Sequence, residues 1–137
     1  MDLHEHVGDA GRGERVLLVD DEEAFRETMA RALARRGLIV RCAESGEQCL
    51  EAIETIEPNV VVLDLEMPGM GGMAALAEIV RRRPSLPVIV LTGYGTMARG
   101  IQAMKAHAVD FLNKPVMADD LLAVIHAVLH GPEARSA

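Results

Sequence analysis

Short apolar runs alternate along this chain with longer stretches in which apolar residues return every three or four positions. The runs are Arg15-Val16-Leu17-Leu18-Val19, Leu38-Ile39-Val40, residues 59–64 around Val60-Val61-Val62-Leu63, Pro87-Val88-Ile89-Val90-Leu91-Thr92, and Val109-Asp110-Phe111-Leu112. Continuous apolar character over so few residues predicts strands buried on both faces. After the first run, Phe25, Met29, Ala32 and Leu33 share one face of a helix that acidic residues open and Arg35, Arg36 and Gly37 close. Ser45, with Gln48 three residues on, predicts a capping box. It starts a helix that turns Cys49, Leu50, Ile53 and Ile56 inward, with Pro58 just past its end. Residues 72–82 predict a third helix (Met73, Leu76 and Val80 on one face) and residues 96–106 a fourth. Residues 118–130 predict the fifth, with Leu121, Leu122, Ile125, Val128 and Leu129 inward and Gly131-Pro132 as its stop. Five strands alternating with five helices imply βαβ units, right-handed crossovers and a parallel sheet covered on both faces, an α/β fold.

The length, 137 residues, fits one domain with a single sizeable core. That domain spans residues 14–130, between a disordered polar lead-in over 1–13 and a polar tail over 131–137. With one Tyr, two Phe and no Trp, the core must be filled by aliphatic side chains, Ala and Met. A formal net charge of −7, with no basic stripe or aromatic platform, argues against direct nucleic-acid binding. Arg81-Arg82-Arg83 reads as a helix end favoured by the macrodipole. Cys42 and Cys49 lack CxxC spacing and read as reduced cytosolic thiols. The first residues carry no apolar signal region and no run reaches membrane-span length, so the expected location is the cytoplasm. His4-Glu5-His6 reads as adventitious, and the zinc-like pair His126 and His130 lacks a third ligand.

The chemistry sits where the strands end. The run before Asp64 stops abruptly at that carboxylate, and Pro68-Gly69 then forces a turn. Taken alone, Asp64 is either a loop cap or a reactive or metal-binding group, because a buried carboxylate needs a partner. In a parallel sheet, however, all carboxyl ends lie on one edge, where open α/β sheets place their ligands. That edge would gather Asp20, Asp21, Asp64, Thr92 and Lys114. Three carboxylates against one ammonium leave the cleft two charges negative, which favours raised pKa values or a bound cation. Oxygen-only ligands suit a hard ion, Mg²⁺ above all. A carboxylate, a metal, a hydroxyl and an ammonium together describe transfer of a phosphoryl group onto Asp64.

Four motifs carry a resemblance. Leu18-Val19-Asp20-Asp21-Glu22, Asp64-Leu65-Glu66-Met67-Pro68-Gly69-Met70-Gly71-Gly72, Leu91-Thr92-Gly93-Tyr94 and Asp110-Phe111-Leu112-Asn113-Lys114-Pro115 occur in order. In these the chain resembles the receiver domain of two-component response regulators over about residues 14–130. Gln102-Ala103-Met104-Lys105-Ala106 and Ala108-Val109-Asp110-Phe111 are similar to receivers of the nitrogen-fixation regulator type. The resemblance implies a flavodoxin-like, doubly wound five-stranded parallel sheet in the order 2-1-3-4-5. It implies a phospho-acceptor rather than a classical enzyme, receiving its phosphoryl group from a sensor histidine kinase or a histidine phosphotransfer protein. It further implies Asp64 as phospho-acceptor, and Asp21, Asp64 and the backbone carbonyl of Glu66 as Mg²⁺ ligands, with Asp20 acting through water. Thr92 and Lys114 would hold the phosphoryl oxygens, Thr92 and Phe111 would form the switch, and Glu66 and Tyr94 would tune the phosphoryl lifetime. The face built from the fourth helix, fifth strand and fifth helix would carry the output, including a possible homodimer.

The chain also departs from the family pattern. His107 stands where glycine is usual, just past the fourth helix, and Gly100 lies inside that helix. Both features predict a marginal helix with fast amide exchange. Gly71 replaces a more usual Asp, Ser or Asn before Gly72, which is expected to loosen the start of the third helix. Among other readings, a flavodoxin would place a phosphate after the first strand, where Asp20-Asp21-Glu22-Glu23 would repel it. A dehalogenase-type phosphatase would need a second Asp where Glu66 stands and a Thr where Pro68 stands. A degenerate receiver acting as a phosphorylation-independent binding module is the functional rival, and five intact site positions stand against it.

Overall fold

The structure is a computed structural model that describes residues 5–7, 13–93 and 97–131. Its elements in chain order are β1 (Glu5–Val7), β2 (Arg15–Val19), α1 (Glu23–Ala34), β3 (Ile39–Ala43), α2 (Gly46–Thr55), β4 (Val60–Asp64), α3 (Gly72–Arg82), β5 (Val88–Thr92), α4 (Met97–Lys105), β6 (Asp110–Asn113) and α5 (Ala118–His130). The sheet order is β1-β3-β2-β4-β5-β6. Strands β3, β2, β4, β5 and β6 run parallel, which is the expected 2-1-3-4-5 order. The difference lies at the edge, where β1 pairs antiparallel with β3 (Glu5↔Arg41 to Val7↔Ile39). The lead-in expected to be disordered thus contributes a sixth strand. Three residues are too few to show a period, yet they satisfy backbone groups on an otherwise open edge.

Each central strand is apolar throughout because it feeds two cores. Leu17, Val19, Val61, Leu63, Val88 and Val90 pack with α2, α3 and α4. Their neighbours Val16, Leu18, Val60, Val62, Ile89 and Leu91 pack with α1 and α5. The Ser45 half of the capping box forms, with Gln48 N–H donating to Ser45 Oγ at 3.0 Å, while the return bond goes one residue before the N-cap. Gln48 Oε1 in turn accepts from Glu44 N–H at 2.6 Å. Gly37, φ +95°, and Gly131, φ +89°, follow α1 and α5 as expected stops. On α1 the buried face is turned slightly from the expected one. Arg26, Met29, Ala30, Leu33 and Ala34 are buried, whereas Phe25 and Ala32 are only partly so. Both cysteines are free and buried, and burial pushes each thiol up to about 12, which makes them inert core residues. Among the described residues no helix is long and apolar enough to cross a membrane.

His107 has φ +76°, so it occupies the left-handed conformation that glycine would fill without strain. Gly100 has a packing reason that its position in the sequence does not reveal. A Cβ there would lie 2.4 Å from Cδ2 and Cε2 of Phe111 on β6. Gly100→Ala therefore sets two effects against each other. Alanine gains about 1 kcal/mol of helix propensity, but overpacking an aromatic ring costs about 1–3 kcal/mol. The expected result is a net loss of stability in urea denaturation; a gain would show that the ring moves aside freely.

Candidate functional site

The carboxyl ends of β2, β4, β5 and β6 meet at one edge of the sheet, beside the turn that leads into α1. An open cleft of about 560 Å³ lies there, lined in part by Asp20, Asp21, Phe25, Asp64, Glu66 and Lys114. Asp20 directly follows β2 and Asp64 ends β4, and both are almost fully buried. Asp21 is exposed. One carboxylate oxygen from each of Asp20, Asp21 and Asp64 lies within 4.8 Å of the others. The sequence expectation that these three converge is met.

The two buried carboxylates are held from the main chain. Asp20 Oδ1 accepts from Glu22 N–H at 2.8 Å. Asp64 Oδ1 accepts from Glu66 N–H at 3.0 Å, locking the turn after β4. That turn is also pressed from behind by α3, since a Cβ on Gly72 would lie 2.4 Å from Leu65 Cα and 2.6 Å from the Asp64 carbonyl oxygen. Gly71, the N-cap of α3, has φ +81° and no side-chain cap.

Lys114 reaches in from the end of β6. Its Nζ lies 2.7 Å from Asp20 Oδ2 and 3.7 Å from Asp64 Oδ2. The ammonium also sits 4.4 Å from the centroid of the Phe25 ring, a cation–π contact. Burial alone would lower the Lys114 pKa. The hydrogen bond to Asp20 and the charges of Asp20, Asp64 and Glu22 outweigh it and hold the ammonium above the ordinary lysine range. Asp64 is shifted upward. Burial is the main cause and the Asp20 and Asp21 charges add to it, against the opposing Glu66 N–H bond and the Lys114 charge. The cluster is thus short of positive charge, and its donors are all oxygen. A hard divalent cation fits that deficit.

The upward shift has a consequence for stability. A carboxyl that binds its proton more tightly when folded contributes stability below its unfolded pKa and loses that contribution as pH rises through the folded one. Asp64→Asn is therefore expected to raise the melting temperature of the metal-free protein near neutral pH. Below the ordinary aspartate range the two proteins should melt alike. Melting curves in chelator across that pH range check this, and an Asn variant less stable at neutral pH would contradict it.

Three further residues that the strand-end motifs did not mark take part in the site. Arg26 is buried to 2% exposure and donates from Nη1 to the Asp20 carbonyl oxygen at 2.9 Å. Phe25, expected as ordinary core, lies partly buried under the Lys114 ammonium. Arg99 on α4 lies 3.6 Å from Glu66 and 3.4 Å from the Leu65 carbonyl oxygen. An arginine three and four residues before the buried Met29 and Ala30 was the available signal for Arg26. Thr92 is at the strand end as expected, fully buried, but its hydroxyl donates to Asn113 Oδ1 at 2.7 Å. Phe111 is partly buried against the second, third and fourth helices' core and stacks over Gly100. Tyr94 lies outside the described residues.

With that geometry in place, comparisons with known proteins give a consistent result. Residues 16–126 match the family described as "Response regulator receiver domain". The chain is 38% identical over 121 residues to the DNA-binding transcriptional regulator NtrC of Escherichia coli (strain K12), covering 88% of this chain and 26% of that protein. It is 39% identical over 123 residues to the acid tolerance regulatory protein ActR of Rhizobium meliloti (strain 1021), covering 88% and 63% respectively. The chain thus spans about a quarter of the length of the NtrC proteins it matches. Among solved structures, the receiver domain of NtrX from Brucella abortus superposes with a TM-score of 0.80 at 35% identity, over 83% of this chain and 97% of that one. A response regulator receiver domain protein from Clostridium thermocellum gives 0.82 at 32% identity, over 88% and 98%.

Proposed function

This chain belongs to the response regulator receiver domain family, and from that premise we propose that residues 14–130 form a cytoplasmic receiver whose Asp64 accepts a phosphoryl group. The donor is a phosphohistidine of a sensor kinase or phosphotransfer protein. An oxygen of Asp64 forms the new P–O bond, the P–N bond breaks, and the imidazole leaves with the electron pair. Of the two oxygens, Oδ1 is engaged by Glu66 N–H, while Oδ2 faces Lys114, where a phosphoryl oxygen would find its counter-charge. Lys114 and the hydroxyl of Thr92 hold phosphoryl oxygens, and Phe111 follows Thr92 as the switch. Glu66 and Tyr94 set how long the acyl phosphate survives.

Asp21, Asp64 and the Glu66 carbonyl are the proposed Mg²⁺ ligands, with Asp20 acting through a water. The bound ion would neutralise charge developing on the phosphoryl oxygens. The observation that carries the reading is the cluster itself: three carboxylates within 4.8 Å, an ammonium 2.7 Å from one of them, and a buried Asp64 whose pKa is pushed up. The α4–β6–α5 face would carry the output to a partner or a second copy, since the longer relatives are regulators of which this chain matches only one part.

Mg²⁺ with beryllofluoride, a phosphoryl mimic, tests the site without a donor. Together they are expected to raise the melting temperature of the wild-type protein well beyond either alone, and Asp64→Asn should abolish the synergy. No synergy in the wild type would favour a degenerate receiver that binds partners without phosphorylation.

A further inference from the structure

Thr92 has one hydroxyl proton to give, and in this structure it gives it to Asn113. The two residues are paired across the parallel β5–β6 ladder, at the last position of each strand. The next residue tightens the same grip, because Lys114 N–H donates to the Thr92 carbonyl oxygen at 2.7 Å. Thr92 is wholly buried, so its hydroxyl has no bulk water to turn to. Asn113, by contrast, is exposed, and a short polar side chain there has no core to serve.

We propose that Asn113 is a positioning residue that sets the resting orientation of the Thr92 hydroxyl, and so fixes how readily the site closes on a phosphoryl group. The inference rests on the proposed role of Thr92 at Asp64. A Thr92 hydroxyl that donates to a phosphoryl oxygen must first leave Asn113 Oδ1. The 2.7 Å bond is therefore a term against the phosphorylated state, and its loss favours that state. Removing the acceptor also strands a buried hydroxyl in the resting form, which pushes in the same direction.

Two measurements on Asn113→Ala, Asn113→Asp, Thr92→Ala and the Asn113→Ala/Thr92→Ala double variant test this. The first is beryllofluoride titration in saturating Mg²⁺. Loss of one net hydrogen bond predicts about three- to tenfold tighter binding by Asn113→Ala, with Mg²⁺ affinity unchanged. The gain should vanish when Thr92 is already alanine. The second is the Thr92 side-chain rotamer from three-bond couplings in metal-free protein. It should change in Asn113→Ala and stay as in the wild type in Asn113→Asp, which keeps an oxygen acceptor. Wild-type or weaker beryllofluoride binding by Asn113→Ala, an equal gain in the Thr92→Ala background, or an unmoved rotamer would each overturn the proposal. If the wild-type protein takes no beryllofluoride at all, the receiver reading fails, and the rotamer result alone decides the role of Asn113.

Discussion

Lys114→Met is expected to slow phosphorylation of Asp64 by about 10²- to 10³-fold, the range seen when one preorganised donor to a developing charge is removed. The same substitution should leave Mg²⁺ binding intact or tighter. Lys114 is the cation 2.7 Å from Asp20 and 3.7 Å from Asp64, and without it three carboxylates face each other with no internal counter-charge. A divalent ion then has more negative charge to neutralise and no ammonium to displace. Methionine keeps a flexible stem over the Phe25 ring, so the effect of packing is small beside the loss of charge. Initial rates with a small-molecule phosphodonor, set beside a Mg²⁺ titration, separate the two quantities. A parallel fall in both would mean that Lys114 builds the metal site rather than serving the phosphoryl group.

The second large effect belongs to Arg26. Burying a guanidinium is costly, and Nε makes no hydrogen bond although it is fully enclosed. The contacts to Glu27 and Glu44 are long, at 3.8 and 3.7 Å. What the residue does make well is the 2.9 Å bond to the Asp20 carbonyl oxygen. Asp20 N–H is fixed in turn to the Ala43 carbonyl oxygen at 3.1 Å, so the main chain at the acidic cluster is held from two sides. Arg26→Ala removes a buried side chain and is expected to cost about 3 kcal/mol in urea denaturation. Arg26→Met fills most of the space without a buried charge and should recover most of that stability. It should not recover function: Mg²⁺ affinity is expected to stay about tenfold weaker, as when a group supporting a metal ligand is lost. Wild-type Mg²⁺ affinity in Arg26→Met would reduce Arg26 to a packing residue.

The sequence is a good guide here wherever one local rule decides. The strands are visible because both faces are covered, which makes Val60–Leu63 and Val88–Leu91 apolar without interruption. The start of α2 is visible because Ser45 accepts from the Gln48 amide of its first turn and Gln48 reaches back to the Glu44 amide just before the helix. Asp20, Asp21, Asp64 and Lys114 are visible as a group because a parallel sheet sends every strand end to one edge. What stays hidden depends on contacts between elements distant in sequence. Gly100 looks like a weak point in α4 until the Phe111 ring is placed against it. Asn113 looks like a loop residue until β6 is registered against β5. Arg26 has the polarity of a solvent face and the spacing of a core face, and only the fold shows which one prevails. Strand β1 is too short to leave any pattern at all.

The central claim is that Asp64 is the phospho-acceptor, and intact-mass measurement after incubation with Mg²⁺ and acetyl phosphate tests it most directly. The expected result is a gain of one phosphoryl group that maps to Asp64 and that disappears in chelator and in Asp64→Asn. An Asp64→Asn protein that still gained the phosphoryl group under the same conditions would contradict the account.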